Sequence, residues 1–243
     1  STNPSFYDHD MEMIPENTFK SIIKVVGIGG GGSNAVKHMQ EMDIKGADLV
    51  ICNTDSQALA SNPVQTKIKL GQQGLGAGTD PEVGRMAALE SREKIQHMLS
   101  NETQMVFITA GMGGGTGTGA APVIAEIARE RNLLTVAVVT APYNWEGKDK
   151  IQYALNGVEA LKKYCDTVIV VMNDKLAEIH KDLALKDAFS KADDVLAKAV
   201  KSVVDVIAKP GDVNTDFMDV KKVLKNAGQA MMSSALGQGE ERA

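Results

Sequence analysis

Residues 113 to 119 read Gly113-Gly114-Gly115-Thr116-Gly117-Thr118-Gly119, five glycines broken only by two threonines. The run follows Met105-Val106-Phe107-Ile108-Thr109, an apolar stretch that reads as a buried strand. It precedes a segment in which Val123, Ile124 and Ile127 recur on one face of a helix. A strand, a glycine-rich turn and a helix place bare backbone amides at a helix N-terminus, where the helix dipole favours negative charge. The chemistry this suits is phosphate binding, with Gly113, Gly114, Gly115, Thr116, Gly117 and Thr118 as the cradle. The threonine hydroxyls add short-range donors. No lysine takes part, because the Gly-Lys-Ser or Gly-Lys-Thr ending of a P-loop occurs nowhere in the chain. Taken alone, such a turn could equally serve tight packing or positive φ angles.

A second run, Gly27-Ile28-Gly29-Gly30-Gly31-Gly32, fits the dinucleotide fingerprint G-x-G-x-x-G after a strand and before a helix. Asp55 follows at about the distance where that fold sets a ribose-binding acid. By itself this run points to an NAD-dependent oxidoreductase. Two features oppose that reading. Such proteins need no second glycine heptapeptide, and no histidine or lysine stands in a hydride-transfer setting. His9 and His38 lie near the N-terminus, while His97 and His180 fall on polar helical stretches, all read as solvent-facing.

Farther along, Leu185, Phe189, Ala192, Leu196, Ala199 and Val203 form the apolar stripe of a long amphipathic helix. Phe189 and Asp193 are four apart and share a face. A ring stacking on a purine, beside a carboxylate that accepts from guanine N1–H and N2–H, would select guanine over adenine. On residue pattern alone, a core phenylalanine and a solvated helix charge are the better explanation of the pair. In Asn214-Thr215-Asp216-Phe217-Met218-Asp219, two carboxylates lie three apart at a helix start, where N-capping is the plain reading.

These residues need a scaffold, and the pattern of the chain supplies one. Expected strands at 22–28, 48–52, 104–109, 134–140 and 167–171 alternate with helices over 81–98, 118–131, 148–163 and one that follows the 29–34 glycine loop and runs to about 42. That alternation implies the α/β class, a mainly parallel sheet with helices on both faces. Ligands on such sheets sit at the carboxyl ends of the strands, so the glycine loops should converge on one crevice. The net charge of −5 offers no general attraction for nucleic acid or anionic membrane. Cys52 and Cys165 have no metal-ligand spacing and read as buried thiols. The longest apolar run, 133–141, is far too short to span a membrane, and the polar, acidic N-terminus does not resemble a signal peptide. The expected address is cytoplasmic.

The heptapeptide matches the signature of the tubulin and FtsZ superfamily. The flanking Ala110-Gly111-Met112 and Ala120-Ala121-Pro122-Val123 resemble its bacterial FtsZ branch. The resemblance runs through Asn53-Thr54-Asp55, Gly74-Leu75-Gly76-Ala77-Gly78, Pro81-Glu82-Val83-Gly84-Arg85, Glu146-Gly147 and Asn173-Asp174-Lys175-Leu176. It implies a flexible arm over 1–19, a GTP-binding domain over 20–183 and a central helix over 184–208. A catalytic loop and a helix over 209–243 would then lead to a C-terminal domain that this chain lacks. The implied ligands are GTP or GDP and Mg²⁺, the ion held mainly through phosphates and water rather than by protein ligands. Gly30, Gly31, Gly32, Ser33 and Asn34 would contact the nucleotide, and Gly115, Thr116 and Gly117 its phosphates. Glu146 would receive the ribose, and Phe189 and Asp193 match the family pattern Phe-x-x-Ala-Asp. The family pattern Glu-Gly-x-x-Arg appears as Glu146-Gly147-Lys148-Asp149-Lys150. Lys150 keeps the charge without the planar fork, so it reads either as a point charge for phosphate or as a solvated helix lysine.

The stretch from Asn214 resembles the family's catalytic loop, Asn-x-Asp-x-x-Asp, with Asp216 and Asp219 orienting water and Asn214 adding a hydrogen bond. About fifteen helical residues separate it from Asp193, on the order of 20 Å at 1.5 Å rise per residue. These acids can therefore act only on the nucleotide of another subunit. A head-to-tail contact of that kind does not close, and it builds a filament. Asp212 stands where the family has an apolar residue, which bears on how that contact packs. The implied role is assembly of the bacterial division ring at midcell, with other copies and other division proteins as partners, no nucleic acid and no direct membrane insertion. A nucleotide-binding structural protein that never turns over is the alternative. For this chain the expectation is a monomer that binds nucleotide but assembles and hydrolyses poorly. The segment after residue 209 would be displaced, and Leu196, Val200, Val203 and Ile207 would lose part of their cover.

Overall fold

The computed structural model describes residues 22–100, 102–173 and 185–207. Six strands form one parallel sheet: β1 (Ile23–Ile28), β2 (Asp48–Asn53), β3 (Thr66–Lys69), β4 (Met105–Gly111), β5 (Leu134–Ala141) and β6 (Thr167–Met172). Their spatial order is β3-β2-β1-β4-β5-β6. The chain builds outward from β1 in one direction and from β4 in the other, which opens a crevice at the carboxyl ends of these two neighbours.

Side chains alternate between the two faces of each strand. On β4, Met105 and Phe107 join one core while Val106, Ile108 and Ala110 join the other. The first core is covered by α1 (Gly29–Glu41), α2 (Ser56–Ser61) and α7 (Leu185–Ile207). The second is covered by α3 (Pro81–Glu90), α4 (Arg92–Met98), α5 (Gly115–Glu130) and α6 (Lys148–Tyr164). Strands buried on both faces must be nearly continuous apolar runs, and β1, β4 and β5 are.

The structure departs from the sequence reading in four places. Residues 56–69, to which the sequence reading assigns no element, hold α2 and the edge strand β3. The helix expected over 81–98 breaks at Ser91, whose hydroxyl accepts from the Gly71 amide at 2.8 Å instead of facing solvent. Helices α1 and α5 begin inside their glycine runs, at Gly29 and Gly115, earlier than expected, because the glycine backbone there already turns into the helix. Finally, Leu196, Val200 and Val203 are not exposed: all are at most 2% accessible, packed with α1 and the sheet. The Ile207 side chain lies outside the described residues, as do 1–19, 174–184 and all of 208–243 with Asn214, Asp216 and Asp219.

Candidate functional site

Helices α1 and α5 start directly after β1 and β4, so their N-termini meet at the crevice. Neither N-terminus has a side-chain cap, and neither has an acid in its first turn. Two neighbouring helices are treated differently. Asp55 caps α2 by accepting from the amides of Gln57 at 2.9 Å and Ala58 at 3.1 Å. Asp80 caps α3 by accepting from the Glu82 amide at 3.0 Å. A helix start normally needs partners for its first amides, so two uncapped starts side by side form a ready anion site. Asp55, spent on its cap, is no longer a spare acid for a dinucleotide ribose.

The two turns touch. A Cβ built on Gly29, whose φ is +75°, would stand 3.1 Å from the Gly117 nitrogen, and one on Gly31 would stand 3.5 Å from Gly111 Cα. The glycines then divide into two kinds. A Cβ on Gly32 would run into the Thr109 carbonyl, and one on Gly119 into that of Pro81. On Gly115 and Gly117 it would meet the carbonyls of Gly78 and Gly111 at 2.8 and 2.9 Å. These four are glycine because backbone packs against them. Gly30 and Gly114 would meet nothing within 4 Å. Their open faces mark where a ligand can approach the amides.

The loop also uses some of its own donors. The Gly113 amide donates to Thr118 Oγ1 at 2.8 Å, so this pair shapes the turn from within. Thr116 Oγ1 lies 2.6 Å from Thr54 Oγ1, a buried contact across 62 residues of sequence. Behind Gly113, the Lys150 carbonyl would sit 3.2 Å from an added Cβ, which brings the start of α6 against the phosphate loop. Ser33 has a buried hydroxyl with no partner, while its carbonyl accepts from Asn62 Nδ2 at 3.2 Å.

Past β5, a 3-10 turn over Asn144–Glu146 presents the candidate ribose acid. Glu146 Oε2 accepts from the Tyr143 amide at 2.6 Å, and its Oε1 lies 3.9 Å from Lys150 Nζ. The two residues singled out at this loop are thus paired with each other. Sequence reading missed Tyr143 and Trp145. The Tyr143 hydroxyl donates to the Ala188 carbonyl at 2.9 Å and so ties this turn to α7. Trp145 stacks on the Tyr143 ring at 4.9 Å between centroids and 12° between planes. Two aromatics at a strand end, in a chain only 4% aromatic, were the available signal.

On α7, Asp193 faces α1. A Cβ on Gly31 would lie 3.6 Å from its Oδ1. Burial pushes the carboxyl up to about 7, and a hydrogen bond from Asn34 partly opposes this. A carboxylate so placed has a donor in Asn34 and can accept further hydrogen bonds from a ligand carrying N–H groups. Phe189 is on the same helix four residues earlier, but its side chain is outside the described residues. Among the described residues, no three His, Cys, Asp or Glu gather as metal ligands, and no helix is long and apolar enough to cross a membrane. Burial pushes the thiols of Cys52 and Cys165 up to about 12, with Asp166 adding to the shift at Cys165, which disfavours the thiolate at both.

Comparison with known proteins follows the same lines. Residues 22–181 match the GTPase domain of the Tubulin/FtsZ family. The cell division protein FtsZ of Pseudomonas aeruginosa is 50% identical over 236 residues, which is 96% of this chain and 60% of that protein. That of Pseudomonas putida is 50% identical over 236 residues, 96% of this chain and 59% of that protein. An empty FtsZ dimer from M. jannaschii superposes with a TM-score of 0.79 at 46% identity, covering 92% of this chain and 65% of its own. The chain spans about 60% of the length of these curated relatives.

Proposed function

The chain belongs to the Tubulin/FtsZ family, and from that membership we propose that it is the nucleotide-binding part of a filament-forming GTPase of bacterial cell division. The observation that carries this reading is the meeting of two uncapped helix N-termini, α1 and α5, at the crevice beneath Asp193. Their amides suit the phosphates of GTP or GDP, and Asp193 suits the guanine N1–H and N2–H. Gly30, Gly31, Gly32, Ser33 and Asn34 line the α1 side of the nucleotide, and Gly114 to Thr118 the α5 side. Gly113 holds the turn through Thr118 and contacts the ligand only as part of that frame. Phe189 stacks on the base, and Glu146 takes the ribose hydroxyls. Lys150, now beside Glu146, is close enough to swing toward phosphate as a point charge.

The donors facing the crevice are amides and hydroxyls, which fit phosphate oxygens and leave Mg²⁺ to be carried on phosphates and water. When bound, the ion neutralises phosphate charge. The reaction is hydrolysis of GTP to GDP and phosphate by in-line attack of water on the γ-phosphorus. The amides of α5 meet the charge that develops there, already in place before reaction. Asn214, Asp216 and Asp219 orient that water from the next subunit. Helix α7 supports this division of labour: Ile207 lies fourteen residues past Asp193, on the order of 20 Å along the axis. The partners are therefore other copies in a head-to-tail filament, joined by other division proteins at a cytoplasmic midcell ring.

The test is phosphate release and light scattering after GTP addition, across protein concentrations, for this chain and for a longer version of it. Turnover per molecule that rises with concentration supports a site shared between subunits. Turnover independent of concentration, or bound ligand that denaturation releases as NAD, defeats the reading.

A further inference from the structure

Thr54 touches the candidate site only through Thr116 among the contacts described above, by a buried side-chain bond that reaches the phosphate loop from the end of another strand. Its hydroxyl oxygen lies 2.6 Å from that of Thr116, and both residues are buried. Thr54 follows the last residue of β2, and Thr116 lies in the first turn of α5. In the empty protein either hydroxyl can donate. A bound phosphate removes that freedom. Its oxygens carry no proton at neutral pH, so Thr116 can only donate to them, and a hydroxyl has a single proton. The Thr116 oxygen must then accept from Thr54.

We propose that Thr54 is a positioning residue for the phosphate subsite, donating to Thr116 so that the Thr116 O–H is aimed at, and polarised toward, a nucleotide phosphate. The inference rests on the guanine-nucleotide reading of the crevice. A chain of hydrogen bonds strengthens each member when its end meets a charge. The main chain around Thr54 extends this effect to a third loop. Its carbonyl accepts from the Gly76 amide at 3.1 Å, the Ser56 amide donates to the Gly74 carbonyl at 3.0 Å, and Asp55 bridges to Leu75. Thr54 thus joins the 71–78 loop to the phosphate cradle through one rigid turn. A plain core pair of threonines would have no preference among ligands; a relay does, since only a phosphorylated ligand engages its end.

The experiment measures, by calorimetry, the affinities of guanosine, GDP and GTP for the unaltered chain, Thr54→Val, Thr54→Ser and Thr116→Val. Thr54→Val should weaken GDP and GTP about three- to tenfold, the worth of one hydrogen bond, while guanosine binding is unchanged. Thr54→Ser should restore the loss. In a Thr116→Val background, Thr54→Val should cost nothing further, since the group it acts through is gone. Should Thr54→Val not fold, Thr54→Ala carries the same expectation. Unchanged GDP affinity, an equal loss for guanosine and GDP, or full additivity with Thr116→Val overturns the proposal. If the unaltered chain binds none of the three ligands, it is the nucleotide reading itself that fails.

Discussion

Asp193 and Gly31 face each other so closely that a Cβ on the glycine would stand 3.6 Å from Asp193 Oδ1. The long helix thereby sets a half-buried carboxyl over the bare backbone that opens α1. Burial favours its neutral form, and guanine would demand its charged one.

That conflict predicts a pH dependence. In the empty protein the carboxyl keeps its proton up to about 7, whereas it titrates near 3.8 when exposed. Folding takes up a proton between these values, so the contribution to stability is fullest below the lower one and is lost as pH rises through the upper. Binding guanine needs the carboxylate, so it should release a proton. GDP affinity should fall by up to about tenfold per pH unit below about 7, and calorimetry in buffers of different ionisation enthalpy should count the proton released. Affinity that stays flat from pH 5.5 to 8, chosen as roughly one unit or more on each side of that titration, removes the carboxylate from the base pocket.

Substitution of the same residue should separate binding from stability. Asp193→Ala should weaken GTP binding by about 1–3 kcal/mol and relax discrimination against ATP, because two purine donors lose their acceptor. Asp193→Asn should raise the melting temperature of the empty protein above neutral pH, where the native carboxyl bears its buried charge. Competition binding and thermal scans check the two outcomes separately.

The two kinds of glycine should respond differently to one added methyl group. Gly30→Ala and Gly114→Ala meet open space and should fold with near-normal melting temperatures while losing at least about tenfold in GDP affinity, as the methyl blocks the amides. Gly32→Ala and Gly119→Ala push a carbonyl and should cost about 1–3 kcal/mol or more in stability. A melting temperature for Gly114→Ala as low as that of Gly119→Ala would contradict this division.

Catalysis from a neighbouring subunit has its own signature. Asp216→Ala should leave nucleotide affinity nearly intact and remove most hydrolysis. Mixed with Gly114→Ala, which keeps Asp216 but binds nucleotide weakly, at a nucleotide concentration that leaves that variant largely unloaded, it should recover activity at contacts between the two variants. Rates that equal the sum of the separate proteins would sink the shared site.

Much of this arrangement is legible in the residues, for reasons that are physical. Strands β1, β4 and β5 are buried on both faces and write themselves as nearly continuous apolar runs, interrupted by Lys24 and a few threonines. Strand β3 hides because Thr66-Lys67-Ile68-Lys69 is short and polar at three of its four positions, as an edge strand can be. The glycine runs announce a phosphate site, yet nothing in the sequence separates Gly30 from Gly32. That difference lies in the Thr109 carbonyl, which the fold brings from another strand. The bond from Tyr143 to the Ala188 carbonyl spans 45 residues and has no local signal. The open N-termini of α1 and α5 were half visible, as helix starts without Ser, Asp or Asn at the capping position. The roles of Phe189, Asn214, Asp216 and Asp219 rest on resemblance alone.

Trp145 is the single tryptophan of the chain, so the indole emission of the whole molecule comes from one turn. The ring is 53% accessible, rests on Tyr143, and precedes Glu146, while Tyr143 holds α7 through Ala188. Any event that moves this turn or the start of α7 changes the polarity and quenching around one chromophore. The protein therefore carries its own optical probe at the junction of sheet and long helix. Movement of this turn becomes a spectroscopic signal in unlabelled material, with no second tryptophan in this chain to dilute it.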